Sequence, residues 1–190
     1  MQERQHTLAK TVRCSGVGIH TGQAADVTIL PAEADTGIVF KRTDLAEPNE
    51  IPALTAFVAG DAQRCTMLRN KRGASVQTVE HVMAALWAAG IDNAVVEING
   101  PELPILDGSA AQWSRLLRDA GATEQAQPRK LLKILKPVRV QDGDRWLRIE
   151  PADRFSIDVD IDYPHPAIGR QHVAWDATQD GFDAIAHAKT

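Results

Sequence analysis

Hydrophobic and polar positions alternate most clearly near the end of this chain, where Phe155, Ile157, Val159, Ile161 and Tyr163 are interleaved with Ser156, Asp158, Asp160 and Asp162. That period of two predicts a strand with one face toward a core and the other acidic. Carboxylates two apart on an open strand do not wrap round an ion as a loop does, so the row reads as a solvated face rather than a calcium site. Ala94-Val95-Val96-Glu97-Ile98 predicts a second strand, with Asn99-Gly100 as its turn. Two helices are marked by their ends. Thr78 is placed to cap one that runs to about Ala89 and stops at Gly90, and Ser109 to cap another that runs to about Ala120 and stops at Gly121. Strands and helices therefore mix within one unit, which predicts an α+β fold.

An internal echo extends this picture. Ile29-Leu30-Pro31-Ala32-Glu33-Ala34-Asp35 resembles Ile149-Glu150-Pro151-Ala152-Asp153, and each ends a strand pattern at Pro-Ala-acid. The echo predicts two similar modules joined near Gln125 to Pro128: a first over residues 1–127, and over 128–190 the strand-rich first part of a second. The counterpart of the Thr78 helix would fall past Thr190, so the second module is expected to be incomplete.

The richest segment for chemistry is Gln77-Thr78-Val79-Glu80-His81-Val82-Met83-Ala84-Ala85-Leu86. On a helical wheel Val79, Val82, Met83 and Leu86 share one face, while His81 lies almost opposite beside Ala84, Ala85 and Ala88. Those small residues leave room for a ligand or another element. Glu80 sits next to His81 in the first turn, where the helix dipole favours a carboxylate and disfavours an imidazolium. Neutral imidazole is the form a metal binds, and a nearby carboxylate can activate a metal-bound water. From the dipeptide alone a second reading stays open: Glu80 complements the dipole and His81 caps or packs. No HExxH spacing is present.

Two further segments qualify as positioning elements. Gly16-Val17-Gly18-Ile19-His20-Thr21-Gly22 is not followed by a helix pattern, so it predicts a tight turn between strands with His20 at its tip, placed to meet a charged ligand. Pro101 to Ser109 predicts a rigid connection from strand to helix, in which Asp107 and Ser109 meet free N–H groups.

Composition narrows the classes. Hydrophobic residues make up 44% and charged residues 24% of the 190, as in an ordinary globular protein rather than a disordered chain. The net charge of -4 gives no basic field for nucleic acid. No apolar run approaches the ~20 residues needed to span a bilayer, and the first residues carry no secretory core, so a cytoplasmic protein is expected. Cys14 and Cys65, far apart and outside any CxxC pattern, are expected as free thiols.

Taken together, these blocks resemble the LpxC family of zinc-dependent deacetylases, which act on UDP-3-O-acyl-N-acetylglucosamine in lipid A biosynthesis. The resemblance runs from Gln5 to Thr190 through Ser15-Gly16-Val17-Gly18-Ile19-His20-Thr21-Gly22, Thr36-Gly37-Ile38-Val39-Phe40, Arg42-Thr43-Asp44-Leu45, Thr78-Val79-Glu80-His81, Gly90-Ile91-Asp92-Asn93 and Pro104-Ile105-Leu106-Asp107-Gly108-Ser109-Ala110. It implies that His81 is one of three zinc ligands and Glu80 the general base. Thr190, in Ala188-Lys189-Thr190 where the family has Ala-Arg-Thr, is implied to polarise the acetyl carbonyl. Tyr163 falls where the family has an aromatic that stacks on uridine.

The resemblance also implies a fold of two similar α+β domains, with sheets outside, helices sandwiched between and the active site between the domains. The other two zinc ligands, in a His-Lys-x-x-Asp motif, and a later acid histidine would lie beyond Thr190. The implied partner is the UDP-sugar acyl substrate, with self-association or pairing with a C-terminal half as a further expectation. A non-catalytic binding or assembly module is the alternative.

Overall fold

Alternation along β3 (Ala24–Pro31) and β8 (Ala94–Ile98) turns Ala25, Val27 and Ile29, and Ala94, Val96 and Ile98, to one buried face in a computed structural model that describes residues 3–189. These strands form the centre of a five-stranded sheet with β2 (Val12–Val17), β4 (Ile38–Arg42) and β5 (Glu50–Pro52), in the order β2-β3-β8-β4-β5. All neighbours are antiparallel except β4 and β8. The β2–β3 connection is the predicted tight turn, closed at Gly22 with φ 66°.

Two helices supply the other half of the core. α1 (Glu80–Ala88) and α2 (Ala111–Ala120) pack against one another, and Val82, Ala85, Leu86, Trp113 and Leu117 join Phe40 and Ile51 in a single apolar cluster. Each large apolar side chain so buried contributes about 1.5–3 kcal/mol. The helices end where expected: the chain turns left-handed at Gly90 (φ 70°) and at Gly121 (φ 72°), and the N–H groups there satisfy the carbonyls of Trp87 and Leu117. A short hairpin, β6 (Met67–Arg69) with β7 (Ser75–Gln77), leads into α1.

The unit is closed by a pairing between distant segments. β1 (Arg4–Leu8) runs antiparallel to β9 (Ala122–Pro128). Beside it, the buried amide of Asn93 donates to Gln5 Oε1 and Gln125 Oε1 at 2.8 Å each and accepts from Gly37 N at 2.8 Å. Asp92 accepts from His6 N and forms a two-pronged ion pair with Arg129 at 2.8 and 2.9 Å. Asn93→Ala strands three polar partners at once, so equilibrium unfolding in urea is expected to show a loss of about 3 kcal/mol. A loss below about 1 kcal/mol would mean that water replaces the amide.

Residues 1–129 with 186–190 make one compact unit and 130–185 a second. The second contains two hairpins, β10 (Val138–Asp142) with β11 (Arg145–Ile149), and β12 (Ser156–Asp162) with β13 (Arg170–Asp176). Its buried aromatic is Trp175, edge-on to Phe155 at 5.9 Å, with its indole N–H donating to Gly181 O. The offset that carries Ile29 onto Ile149 carries β3 onto β11, β4 onto β12 and the start of β5 onto the start of β13. The echo thus corresponds to three repeated strand positions. Mixed sheets with few helices make the fold α+β.

Four expectations need correction. Thr78 does not cap α1: its backbone is left-handed (φ 59°), and its hydroxyl is taken by Glu102. Asn99-Gly100 closes no hairpin, because the Asn99 side chain is bonded across to Asp26 as β8 leaves the sheet. Ala85 belongs to the core stripe of α1 and not to the face of His81. Last, the apolar face of β12 is not core, since Val159 and Tyr163 are 44% and 53% exposed. Among the described residues of the second unit, helical structure is confined to part of the single turn α3 (Asp183–Ala186), too short to cover a sheet.

Candidate functional site

The left-handed turn at Thr78 ends β7 and starts α1 two residues later at Glu80. Glu80 and His81 therefore occupy the first turn, both half-buried, at the N-terminal end of a helix whose opposite side is fixed in the core by Val82, Ala85 and Leu86. One Glu80 oxygen accepts from Thr66 N at 3.0 Å, and Val79 N donates to Thr66 O. The carboxylate is thus tied to the residue that leads into β6. His81, Ala84 and Ala88 form a half-buried stripe beside the core face, as the helical wheel predicts.

A second carboxylate lies behind this turn. Glu102 is 1% exposed, and its carboxylate accepts from His20 N (3.0 Å), Thr21 N (2.8 Å), Thr21 Oγ1 (2.8 Å) and Thr78 Oγ1 (3.0 Å). Burial pushes its carboxyl up, but the hydrogen bonds from His20, Thr21 and Thr78 outweigh this and hold it below the ordinary value. The Cys65 thiol is pushed up, first by burial and further by the charges of Glu80 and Glu102. Cys14 and Cys65 are both free thiols. Sequence reading passed over Glu102, because nothing local in Pro101-Glu102-Leu103-Pro104 reports that its donors come from the β2–β3 turn and from Thr78.

In the approach to α2, Asp107 and Ser109 meet free N–H groups as expected, but Ser109 is not the cap: the N-cap residue is Ala110, without a side-chain cap bond. Asp107 Oδ1 accepts from Ser109 N and Ser109 Oγ, and Ser109 Oγ accepts from Ala111 N at 3.2 Å. Lys189 Nζ donates to both the carboxylate and the carbonyl of Asp107 at 2.7 Å, while Ala110 N donates to Ala186 O. Residues 186–189 are thereby fastened beside the start of α2. The Lys189 ammonium, then the Ser109 hydroxyl, hold the Asp107 carboxyl at about 2 against an ordinary 3.8. A depressed folded value means that the clasp's contribution is present above about pH 4 and is lost as pH falls through about 2. Titration of the Asp107 carboxyl carbon by NMR is expected to show that midpoint, and Lys189→Met to move it up toward 3.8. A wild-type midpoint near 3.8 would mean that the clasp does not form in solution.

The remaining candidates are placed as follows. His20 stands at the tip of the β2–β3 turn with its ring exposed and its backbone bound to Glu102. Tyr163 follows β12 in the second unit, 53% exposed, its N–H donating to Gly169 O. Thr190 lies outside the described residues. Among the described residues, the group able to hold a metal with three side chains is Asp158, Asp160 and His172, all exposed on the β12–β13 ladder. Two of those are already satisfied on the strand surface, Asp158 by His172 at 3.2 Å and Asp160 by Arg170 at 3.4 Å. No such group includes His81.

The order of these blocks matches a known pattern. Residues 5–190 match the LpxC family, described as UDP-3-O-acyl N-acetylglycosamine deacetylase. Similar proteins bearing the name UDP-3-O-acyl-N-acetylglucosamine deacetylase include one from Shewanella frigidimarina, 46% identical over 98% of this chain and 61% of its own length. One from Shewanella sp. strain W3-18-1 is 46% identical, and one from Shewanella baltica strain OS155 is 45% identical, over the same shares. The chain spans about three-fifths of the length of these relatives. No helix among the described residues is long and apolar enough to cross a membrane. With the Glu80-His81 pair at a helix start, the Asp92-Asn93 brace and the Asp107-Ser109 turn all inside the matched region, the chain belongs to the LpxC family of UDP-3-O-acyl-N-acetylglycosamine deacetylases.

Proposed function

We propose that this chain carries the first part of a deacetylase that hydrolyses the N-acetyl group of UDP-3-O-acyl-N-acetylglucosamine, in lipid A biosynthesis in the cytoplasm. The observation that carries the reading is the placement of Glu80 and His81 in the first turn of α1, within a family match over residues 5–190. Glu80 takes the proton from the attacking water through the oxygen that Thr66 leaves available. His81 is one of the ligands of a zinc ion. When bound, zinc supplies a polarised carbonyl and a water acidic enough to react near neutral pH. Thr190 steadies the acetyl oxygen.

His20 and Tyr163 are assigned to the substrate, His20 toward a charged group and Tyr163 as a stacking surface for uracil. Residues 128–190 are assigned to the first, strand-rich part of a second domain whose later residues bring the other zinc ligands and the acid for the departing amine. The repeated strand positions support that assignment.

The test is acetate release from UDP-3-O-acyl-N-acetylglucosamine by this chain, alone and mixed with the segment that follows the matched region in the Shewanella frigidimarina relative, with zinc present. Turnover by the mixture and none by either part is the expected result. A mixture that assembles, binds substrate and zinc, and never turns over would point to the non-catalytic module instead.

A further inference from the structure

The two segments that the proposed site draws on in the first unit, the β2–β3 turn with His20 and the Thr78–His81 turn, share no backbone hydrogen bond. They meet at one carboxylate. Glu102 accepts from the N–H groups of His20 and Thr21 and the hydroxyl of Thr21 on one side, and from the hydroxyl of Thr78 on the other. Among the described residues no cation bonds to it: every donor is a backbone amide or a hydroxyl. A buried carboxylate without a counter-charge persists only where its hydrogen bonds are complete.

The surroundings are shaped to this one group. Gly18 is buried, and a β-carbon there would collide with the Glu102 carboxylate and with Thr21 Oγ1. Thr78, a β-branched residue with φ 59°, is in a conformation that such residues rarely adopt, and its hydroxyl bond to Glu102 helps hold it there. The backbone around Glu102 is fixed to the end of β7, by Gln77 N to Pro101 O and Leu103 N to Gln77 O at 2.9 and 3.1 Å. Glu102 is thus an anchored acceptor, and the two turns are set by it.

We infer that Glu102 is a positioning residue of the hydrolytic site: its carboxylate fixes the His20 turn and the Thr78–Glu80–His81 turn relative to each other, without touching substrate or metal. An amide cannot substitute. Both oxygens receive donors, so either orientation of a glutamine turns an NH2 group against N–H or O–H groups. The inference rests on the proposed deacetylase for its catalytic half, and on the geometry alone for its structural half.

The test uses Glu102→Gln, Thr78→Val and the double variant. In this chain, amide hydrogen exchange is followed over 16–22 and 77–86, with circular dichroism as the check on folding. Glu102→Gln is expected to speed exchange in both segments by about tenfold, and Thr78→Val in 77–86 only. In the complemented enzyme, Glu102→Gln is expected to lower kcat by about tenfold or more while KM moves less than about threefold. Thr78→Val should fall partway, and the double variant should be little worse than Glu102→Gln, because the two act on one bond.

A folded Glu102→Gln whose exchange in 77–86 is unchanged, or whose kcat is unchanged despite faster exchange, overturns the inference. So does strict additivity of the two variants. If Glu102→Gln fails to fold, Thr78→Val decides by the same two readouts. A wild-type mixture without deacetylase activity would sink the functional reading instead, and exchange would still decide whether Glu102 couples the two turns.

Discussion

Glu80→Gln in the complemented chain is expected to slow deacetylation by about a hundred- to ten-thousandfold, the range that a positioned general base supplies. The substitution is nearly isosteric and its amide can still accept from Thr66 N, so folding and zinc content should stay as in the wild type. His81→Ala is expected to differ in kind: it removes a ligand from a proposed three-ligand site, so zinc content and turnover should fall together. Metal analysis beside the acetate assay separates the two cases. If Glu80→Gln keeps wild-type kcat with zinc bound, the base is another residue. If His81→Ala keeps its zinc, the metal is held elsewhere, and the exposed Asp158, Asp160 and His172 group becomes the place to look.

The second large effect is structural. Trp113, on the third residue of α2, is 1% exposed within the apolar cluster that joins both helices to the sheet. Trp113→Ala is expected to cost about 3–5 kcal/mol, since the cavity adds to the lost transfer energy. With domains of this size stable by about 5–15 kcal/mol, that is a large share of the total. It should appear as a fall of about 2 M in the urea midpoint. Gln112→Ala, exposed on the same helix, is the control and should move stability by less than about 0.5 kcal/mol. A midpoint in Trp113→Ala that matches the control would mean that the cluster does not stabilise the unit as a whole.

The two helix ends, the strand Ala94–Ile98 and the turn between β2 and β3 were readable in the sequence, because each is set by neighbours within a few positions: glycine past a helix, alternation along a strand. The Glu80-His81 pair was readable for the same reason. What escaped was set from far away. Thr78 carries the composition of a helix cap, yet a buried carboxylate 24 positions later takes its hydroxyl and turns its backbone left-handed. Ala85 was misplaced because an alanine fits a core stripe or a small face equally well, and packing against α2 decided between them. Glu102 looked like an ordinary residue in a proline-rich connection. Asp92 and Asn93 were legible only as part of a family block, since their partners are the far ends of the unit.

That closure between β1 and β9 governs when the unit can come into being. Arg4 to Leu8 are synthesised more than a hundred residues before Ala122 to Pro128. At roughly 5–20 residues per second, the first strand waits on the order of ten seconds for its partner. Gln5 and the Asn93 amide, which need both strands, stay hydrated throughout that interval. Over that interval β1 is without its partner strand, and a chaperone that occupies residues 4–8 would delay the last step of assembly without touching the helix that bears Glu80 and His81.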